Sequence, residues 1–252
     1  MDKAGSLNRA STILAAIARG SSKGSLLTEL ILRTGLPRTT VVRTLDNLLE
    51  LGWVVRTPQD MRFNLGLDLA GLGYSAISRN PLERIASVEL TQLAESLGQM
   101  VYLAIRSNLD MVCIGRYECR SEIQIGRGGV GLRGPFGMTQ SCMGMMARLP
   151  QKEVDEIVEA NLPRYYRIEG FDETGFRQTI KKAQKNGYGT FDNIILDRTT
   201  SGLGVAIMDA TGYPIAGIGT TYLTGWLDET GQKRCLEELQ QAAANIEAKL
   251  LR

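Results

Sequence analysis

The chain of 252 residues is long enough for two ordinary domains and too long for one small one. Apolar residues at 43% and charged residues at 22% are ordinary for a globular protein, so whole-chain disorder is excluded. Histidine is absent, which removes Ser-His-Asp and Cys-His nucleophiles, the usual neutral-pH base and most transition-metal sites; a net charge of +2 names no partner.

In chain order, Leu7, Ala10, Leu14 and Ile17 recur at helical spacing behind Ser6, a candidate cap, and end at Gly20. Ser25 opens a second expected helix, with Leu27, Leu30 and Ile31 on one face and Thr34-Gly35 as its stop. Pro37 fits the first turn of a third, striped by Val41, Leu45, Leu48 and Leu49 as far as Gly52. The last two are joined by a tight glycine-containing turn, the helix-turn-helix plan. Short strands at 53–56 and 61–65 around Thr57-Pro58-Gln59-Asp60 read as a wing. A glycine-rich linker helix over 66–80 divides a domain at 1–65 from one at 81–252.

The second part begins with a helix from Pro81 to Leu97, stopped by Gly98, and a hairpin of apolar runs at 100–106 and 111–118. Helical patterns near 151–161 and 174–186, strands near 188–196, 203–209 and 214–221, and a last helix from 228 to 251 complete it. This hairpin-rich order predicts an α+β fold rather than a doubly wound parallel sheet. Met1 to Ser11 holds charges and no apolar run, so no signal peptide is expected. The uncharged stretch 210–227 is half Gly, Pro and Thr, which suits strands, and a cytoplasmic protein is the expectation. Cys113, Cys119, Cys142 and Cys235 form neither a CxxC pair nor a zinc set, and they read as reduced thiols.

Charge separates the two parts. Residues 1–80 hold 10 Lys and Arg against 6 Asp and Glu, while the remainder holds 19 against 21. The third helix presents Arg38, Thr39, Thr40 and Arg43 away from its apolar stripe. Arginine bonds guanine bidentately and threonine reaches bases or phosphates, and Arg56 and Arg62 on the wing are placed for flanking phosphates. A solvated helix face is the alternative. Gly126-Arg127-Gly128-Gly129-Val130-Gly131 spells GxGxxG, but the following Leu132-Arg133-Gly134-Pro135 opens no helix to hold a pyrophosphate, so no nucleotide cofactor is expected. The uncharged run from Met138 to Met146 fits either a core helix or an adaptable ligand wall in which the N–H groups of Ser141, Cys142 and Gly144 receive a carboxylate. No catalytic base lies near Cys142, and no metal site stands out.

Ser6-Leu7-Asn8-Arg9-Ala10, Thr34-Gly35-Leu36-Pro37-Arg38-Thr39-Thr40-Val41-Val42-Arg43 and Leu51-Gly52-Trp53-Val54 resemble the DNA-binding domain of IclR-type bacterial transcription regulators. The likeness continues through Phe63-Asn64-Leu65-Gly66, Pro81 and Lys185-Asn186-Gly187-Tyr188-Gly189 to the terminal helix. The resemblance implies a winged helix-turn-helix, a dimerising linker helix, a GAF-like domain for a small organic molecule, and no catalysed reaction. Its implied partners are a double-stranded operator in imperfect palindrome, a carboxylate effector and further copies of the chain as homodimer or homotetramer. Carried over by motif, the pocket residues are Met138, Ser141, Cys142, Gly144, Asp192, Gly202, Gly219 and Thr221. The chain departs from the family at Gly137-Met138-Thr139 and Gly144-Met145 in the turn, at Gly202 where a cysteine is frequent, and at Gly219 where a serine is usual. Two lost side chains predict a larger, less polar cavity and an aromatic or otherwise apolar acid. The rivals are a thiol-based enzyme using Cys113, Cys119 or Cys142, and an adaptor whose helical hairpin binds protein.

Overall fold

The computed structural model describes residues 5–21, 23–79, 81–120, 125, 129–191 and 199–251. The chain divides into two compact units, Met1–Arg79 and Asn80–Arg252.

In the first unit α1 (Ser6–Ala18), α2 (Leu27–Thr34) and α3 (Arg38–Glu50) precede β1 (Val54–Arg56), β2 (Phe63–Leu65) and α4 (Leu67–Ser78). Ile13, Ile17, Leu30, Val41, Leu45, Leu48, Val54 and Phe63 make its core. Ile17 is buried as expected, but Leu7, expected on the inner stripe, is exposed, and Ile13 and Ala16 are buried instead. With Arg9 as its one charge and only small polar residues, Ser6, Asn8, Ser11 and Thr12, exposed beside it, α1 marks the phase of its pattern weakly. Ser25 does not open α2: its backbone exchanges hydrogen bonds with Phe63 at 3.0 and 2.8 Å, adding a rung beside the wing. The N–H of Leu26 donates to Glu29 Oε2 at 3.1 Å and starts the helix.

The second unit runs α5 (Pro81–Leu97), β3 (Val101–Ser107), β4 (Asp110–Tyr117), β5 (Arg133–Pro135), α6 (Gln140–Met146), α7 (Gln151–Tyr165), α8 (Glu173–Asn186), β6 (Gly189–Phe191), β7 (Thr200–Met208), β8 (Pro214–Leu223) and α9 (Glu229–Leu250). The strands form one antiparallel sheet in the order β5-β4-β3-β8-β7-β6. Side chains alternate across it. Leu103, Val205 and Ile218 join Leu90 of α5 and Leu239 and Ile246 of α9 on one face. Ala104 and Met111 join Phe136, Met143, Tyr165 and Phe176 from the α6, α7 and α8 side on the other. Asn245 of α9 donates to Glu89 of α5 at 3.0 Å and ties the first layer together. The fold is α+β, as its pattern predicts. Short β5 escapes the pattern, β7 begins at Thr200 rather than 203, and the strand expected over 188–196 is described only as Gly189–Phe191. Among the described residues, no helix is long and apolar enough to cross a membrane.

Candidate functional site

Val41, Leu45 and Leu48 pin α3 into the core of the first unit. The opposite face shows Arg38, Thr39 and Arg43 exposed, with Thr40 half-buried. Neither Arg38 nor Arg43 has a hydrogen-bond or ion-pair partner among the described residues, so both guanidiniums are available to an outside acceptor. Asn47, one turn after Arg43, is exposed at i+4 and shares that face. Asparagine can pair adenine as arginine pairs guanine, so the face carries a second residue type suited to base edges, one beyond the first turn on which the sequence signal rests. Exposed Arg56 lies over the Phe63 ring at 5.2 Å. Arg62 is committed elsewhere: Nη1 donates to the Gly24 carbonyl at 3.0 Å, with Glu29 at 3.8 Å and Asp60 at 3.5 Å. That guanidinium clamps the wing to the turn before α2 rather than facing outward.

In the second unit α6 is buried along its whole length. Thr139 caps it, accepting from the Cys142 N–H at 3.5 Å, and the Met143 N–H bonds the Thr139 carbonyl at 2.9 Å. Gly144 therefore lies inside the helical ladder, and the N–H groups of Cys142 and Gly144 are already used. Of the carboxylate seat expected at Ser141, Cys142 and Gly144, the last two N–H groups are therefore spent within the helix. The helix rests directly on the sheet. A Cβ on Gly204 would lie 2.0 Å from the Gln140 carbonyl oxygen, one on Gly217 2.1 Å from that of Ser141, and one on Gly144 2.6 Å from the Val205 nitrogen.

The same packing corrects the expectation that Gly202 and Gly219 widen a cavity. A Cβ on Gly219 would meet Gln140 Cγ at 2.7 Å and the Leu203 carbonyl oxygen at 2.9 Å, and one on Gly202 would meet the Thr220 carbonyl oxygen at 2.6 Å. Gln140 fills the place, and its Nε2 donates to Thr221 Oγ1. Sequence reasoning passed over Gln140, although a lone amide in an apolar run signals a buried partner. Met138, Met143, Met145 and Met146 pack with Phe136, Tyr165 and Phe176 as core. Asp192, and residues 126–128 of the glycine-rich loop, lie outside the described residues. A surface cleft of about 540 Å³ runs between Arg106 and the start of α7, but its Arg106 pairs with Glu153, which also accepts from Tyr213 Oη at 2.8 Å.

All four thiols are buried. Burial pushes Cys142 up to about 11 and Cys235 up to about 12, and it raises Cys113, whose Sγ donates to the Gly115 carbonyl at 3.3 Å. At pH 7 the Cys142 thiolate is roughly one part in ten thousand, the opposite of what a thiol nucleophile needs. Ellman's reagent at pH 7 should therefore leave Cys142 and Cys235 unmodified in the native protein and titrate all four thiols after denaturation. Fast native modification of Cys142 would contradict its closed setting.

The IclR helix-turn-helix domain model matches residues 6–58, and the bacterial transcriptional regulator IclR C-terminal model matches residues 74–248. The HTH-type transcriptional regulator KdgR of Dickeya chrysanthemi is 26% identical over 236 residues, 91% of this chain and 75% of KdgR. The crystal structure of an IclR transcriptional regulator from Alicyclobacillus acidocaldarius superposes with a TM-score of 0.78 at 23% identity, covering 96% of this chain and 97% of that one. An IclR homolog complexed with 4-hydroxybenzoate, from Microbacterium hydrocarbonoxydans, superposes at 0.73 with 19% identity, covering 98% and 99%.

Proposed function

The chain belongs to the IclR family of bacterial transcriptional regulators, DNA-binding proteins and not enzymes, and from that premise we propose how it reads DNA and what modulates it. Arg38, Thr39, Thr40 and Arg43 of α3, with Asn47, enter the major groove, while Arg56 meets a flanking phosphate. The observation that carries this reading is the pair of unpartnered arginines on the outward face of a helix held by its inner stripe. The protein works in the cytoplasm, where its operator is.

The working species is a homodimer, from which a homotetramer is built. Helix α4 has no buried residue: Leu67 is 87% and Tyr74 75% exposed, and Leu72 is exposed beside them. A second copy covers this apolar helix, and two linked half-sites multiply affinity through effective concentration. The second unit is a GAF-like domain whose effector is an organic acid with an apolar, aromatic body. Supporting this, a structural relative was crystallised with 4-hydroxybenzoate. The effector changes DNA affinity only as far as it prefers one arrangement of the dimer, a coupling of about 1 to 3 kcal/mol.

Capture of fragmented genomic DNA by the full chain, with and without benzoate, tests the reading. Recovered fragments should share an imperfect palindrome with half-sites about one helical turn, or a multiple, apart. Sedimentation should give a dimer at micromolar concentration; a monomer with and without DNA, or fragments sharing no palindrome, would rule the dimeric reader out.

A further inference from the structure

The face of α3 assigned to DNA reading also carries an acid. Thr39, Val42, Arg43, Asp46, Asn47 and Glu50 are exposed, while Val41, Leu45 and Leu48 are buried behind them. Thr39, Val42, Arg43 and Asp46 repeat at i, i+3, i+4 and i+7, the spacing at which a helix lying in the major groove presents side chains to base edges. Asp46 makes no hydrogen bond or ion pair among the described residues, so its carboxylate is as uncommitted as the Arg43 guanidinium beside it.

Nothing inside the first unit accounts for this acid. It stands about two turns past the start of α3, out of reach of the positive end of the helix dipole. Glu50 follows one turn later and repels it, and aspartate is a poor residue for a helix interior. A carboxylate aimed into a groove walled by phosphates also weakens binding to DNA in general. The chemistry that offsets these costs is a donor on a base edge. In the major groove cytosine shows its N4 amino group with no acceptor beside it, whereas adenine sets N7 next to its N6 amino group, and guanine and thymine show acceptors. A carboxylate is therefore accepted by cytosine and opposed by the other three bases. Asp46 comes three residues after Arg43, about 4.5 Å along the helix at ~1.5 Å per residue, against a rise of ~3.4 Å between base pairs. We infer that Asp46 accepts from the N4 amino group of a cytosine in the base pair next to the one that Arg43 reads, and so determines specificity at that pair. This rests on the proposed reading face of α3 and adds to it a residue that selects by repelling wrong bases as well as by bonding the right one.

Selection from a random-sequence duplex pool by the full chain, read out by sequencing, tests this. The parent should enrich half-sites with a guanine position that is lost in Arg43→Ala and, at the adjacent pair, a cytosine position that is lost in Asp46→Ala. Cytosine preference there should fall about fivefold or more in Asp46→Ala, while binding to duplexes without the motif tightens, since one negative charge facing the phosphates is gone. Asp46→Asn should redirect the same pair toward adenine, whose N6 and N7 an amide pairs with. Asp46 is exposed and unpaired, so both variants should melt with the parent or above it, and Asp46→Asn carries the test if Asp46→Ala melts early. Uniform tightening with every base preference intact overturns the inference and leaves the α3 reader standing, because Asp46 is then a solvated charge. Loss confined to the guanine read by Arg43 overturns it too, because Asp46 then acts by orienting Arg43. A parent that enriches no motif, or an Arg43→Ala variant that keeps every preference, overturns the reading face and Asp46 with it.

Discussion

Replacing Arg43 with alanine should weaken operator binding by about 1 to 3 kcal/mol in each half-site, roughly 5- to 160-fold, and relax preference at one base pair. A dimer carries the loss twice. The side chain is exposed and makes no hydrogen bond or ion pair among the described residues, so its removal costs no internal contact and the melting temperature should not move. Arg38→Ala should lower affinity in the same way. Arg56→Ala is expected to behave differently, weakening all sequences alike and flattening the salt slope by about one unit, because a phosphate contact carries no base preference. Arg62→Ala separates folding from reading: its bond to the Gly24 carbonyl and its place between Glu29 and Asp60 make it a stability residue, so the first unit should melt earlier. Anisotropy titrations at three salt concentrations, with melting curves, check all four. Binding unchanged within error in both Arg38→Ala and Arg43→Ala would remove this face as the reader.

The first unit was legible because its signals are local. The Val41, Leu45, Leu48 stripe, the Gly35 stop and the wing turn each depend on residues within a few positions. What escaped there is non-local or weakly marked: Ser25 pairs with Phe63, 38 positions away, and α1 lacks the charges that would set its phase. The second unit shows a harder limit. A glycine in a sequence tells that a side chain is missing and not what occupies the space, so Gly202 and Gly219 read as room for a ligand when Gln140 stands there. Tyr102 and Arg116 lie on the two strands of the hairpin at 100–106 and 111–118. Only the register, including the shift between Leu103 and Ala104, brings the two side by side.

Gly204→Ala should destabilise the second unit by about 1 to 3 kcal/mol, lowering its melting temperature by about 2 to 12 °C. The sign is what makes the result informative. Glycine inside a strand ordinarily costs about 0.5 to 1 kcal/mol relative to alanine, so a free Gly204 would give a more stable protein on substitution. Gly204 is paired on both sides, with Gly189 and Gly219, and a methyl group there would sit 2.0 Å from the Gln140 carbonyl oxygen and 2.4 Å from its carbon. These are backbone atoms of a helix, which no rotamer change can move aside. α6 is itself buried on every side, with Met143 and Met146 packed against Tyr165 and Phe176, so lifting it would open the core behind. Gly219→Ala should be milder, since its nearest clash, Gln140 Cγ at 2.7 Å, belongs to a side chain and its backbone contact, the Leu203 carbonyl oxygen, is at 2.9 Å rather than 2.0 Å, yet it should break the Gln140–Thr221 hydrogen bond. Gly134→Ala on β5 meets nothing within 4 Å and should leave the melting temperature unchanged or raise it. Calorimetric melts of the three variants should therefore rank Gly204→Ala below Gly219→Ala below Gly134→Ala. If Gly204→Ala melts with the parent or above it, α6 is not seated on the strand, and the filling of the expected cavity by Gln140 falls with it.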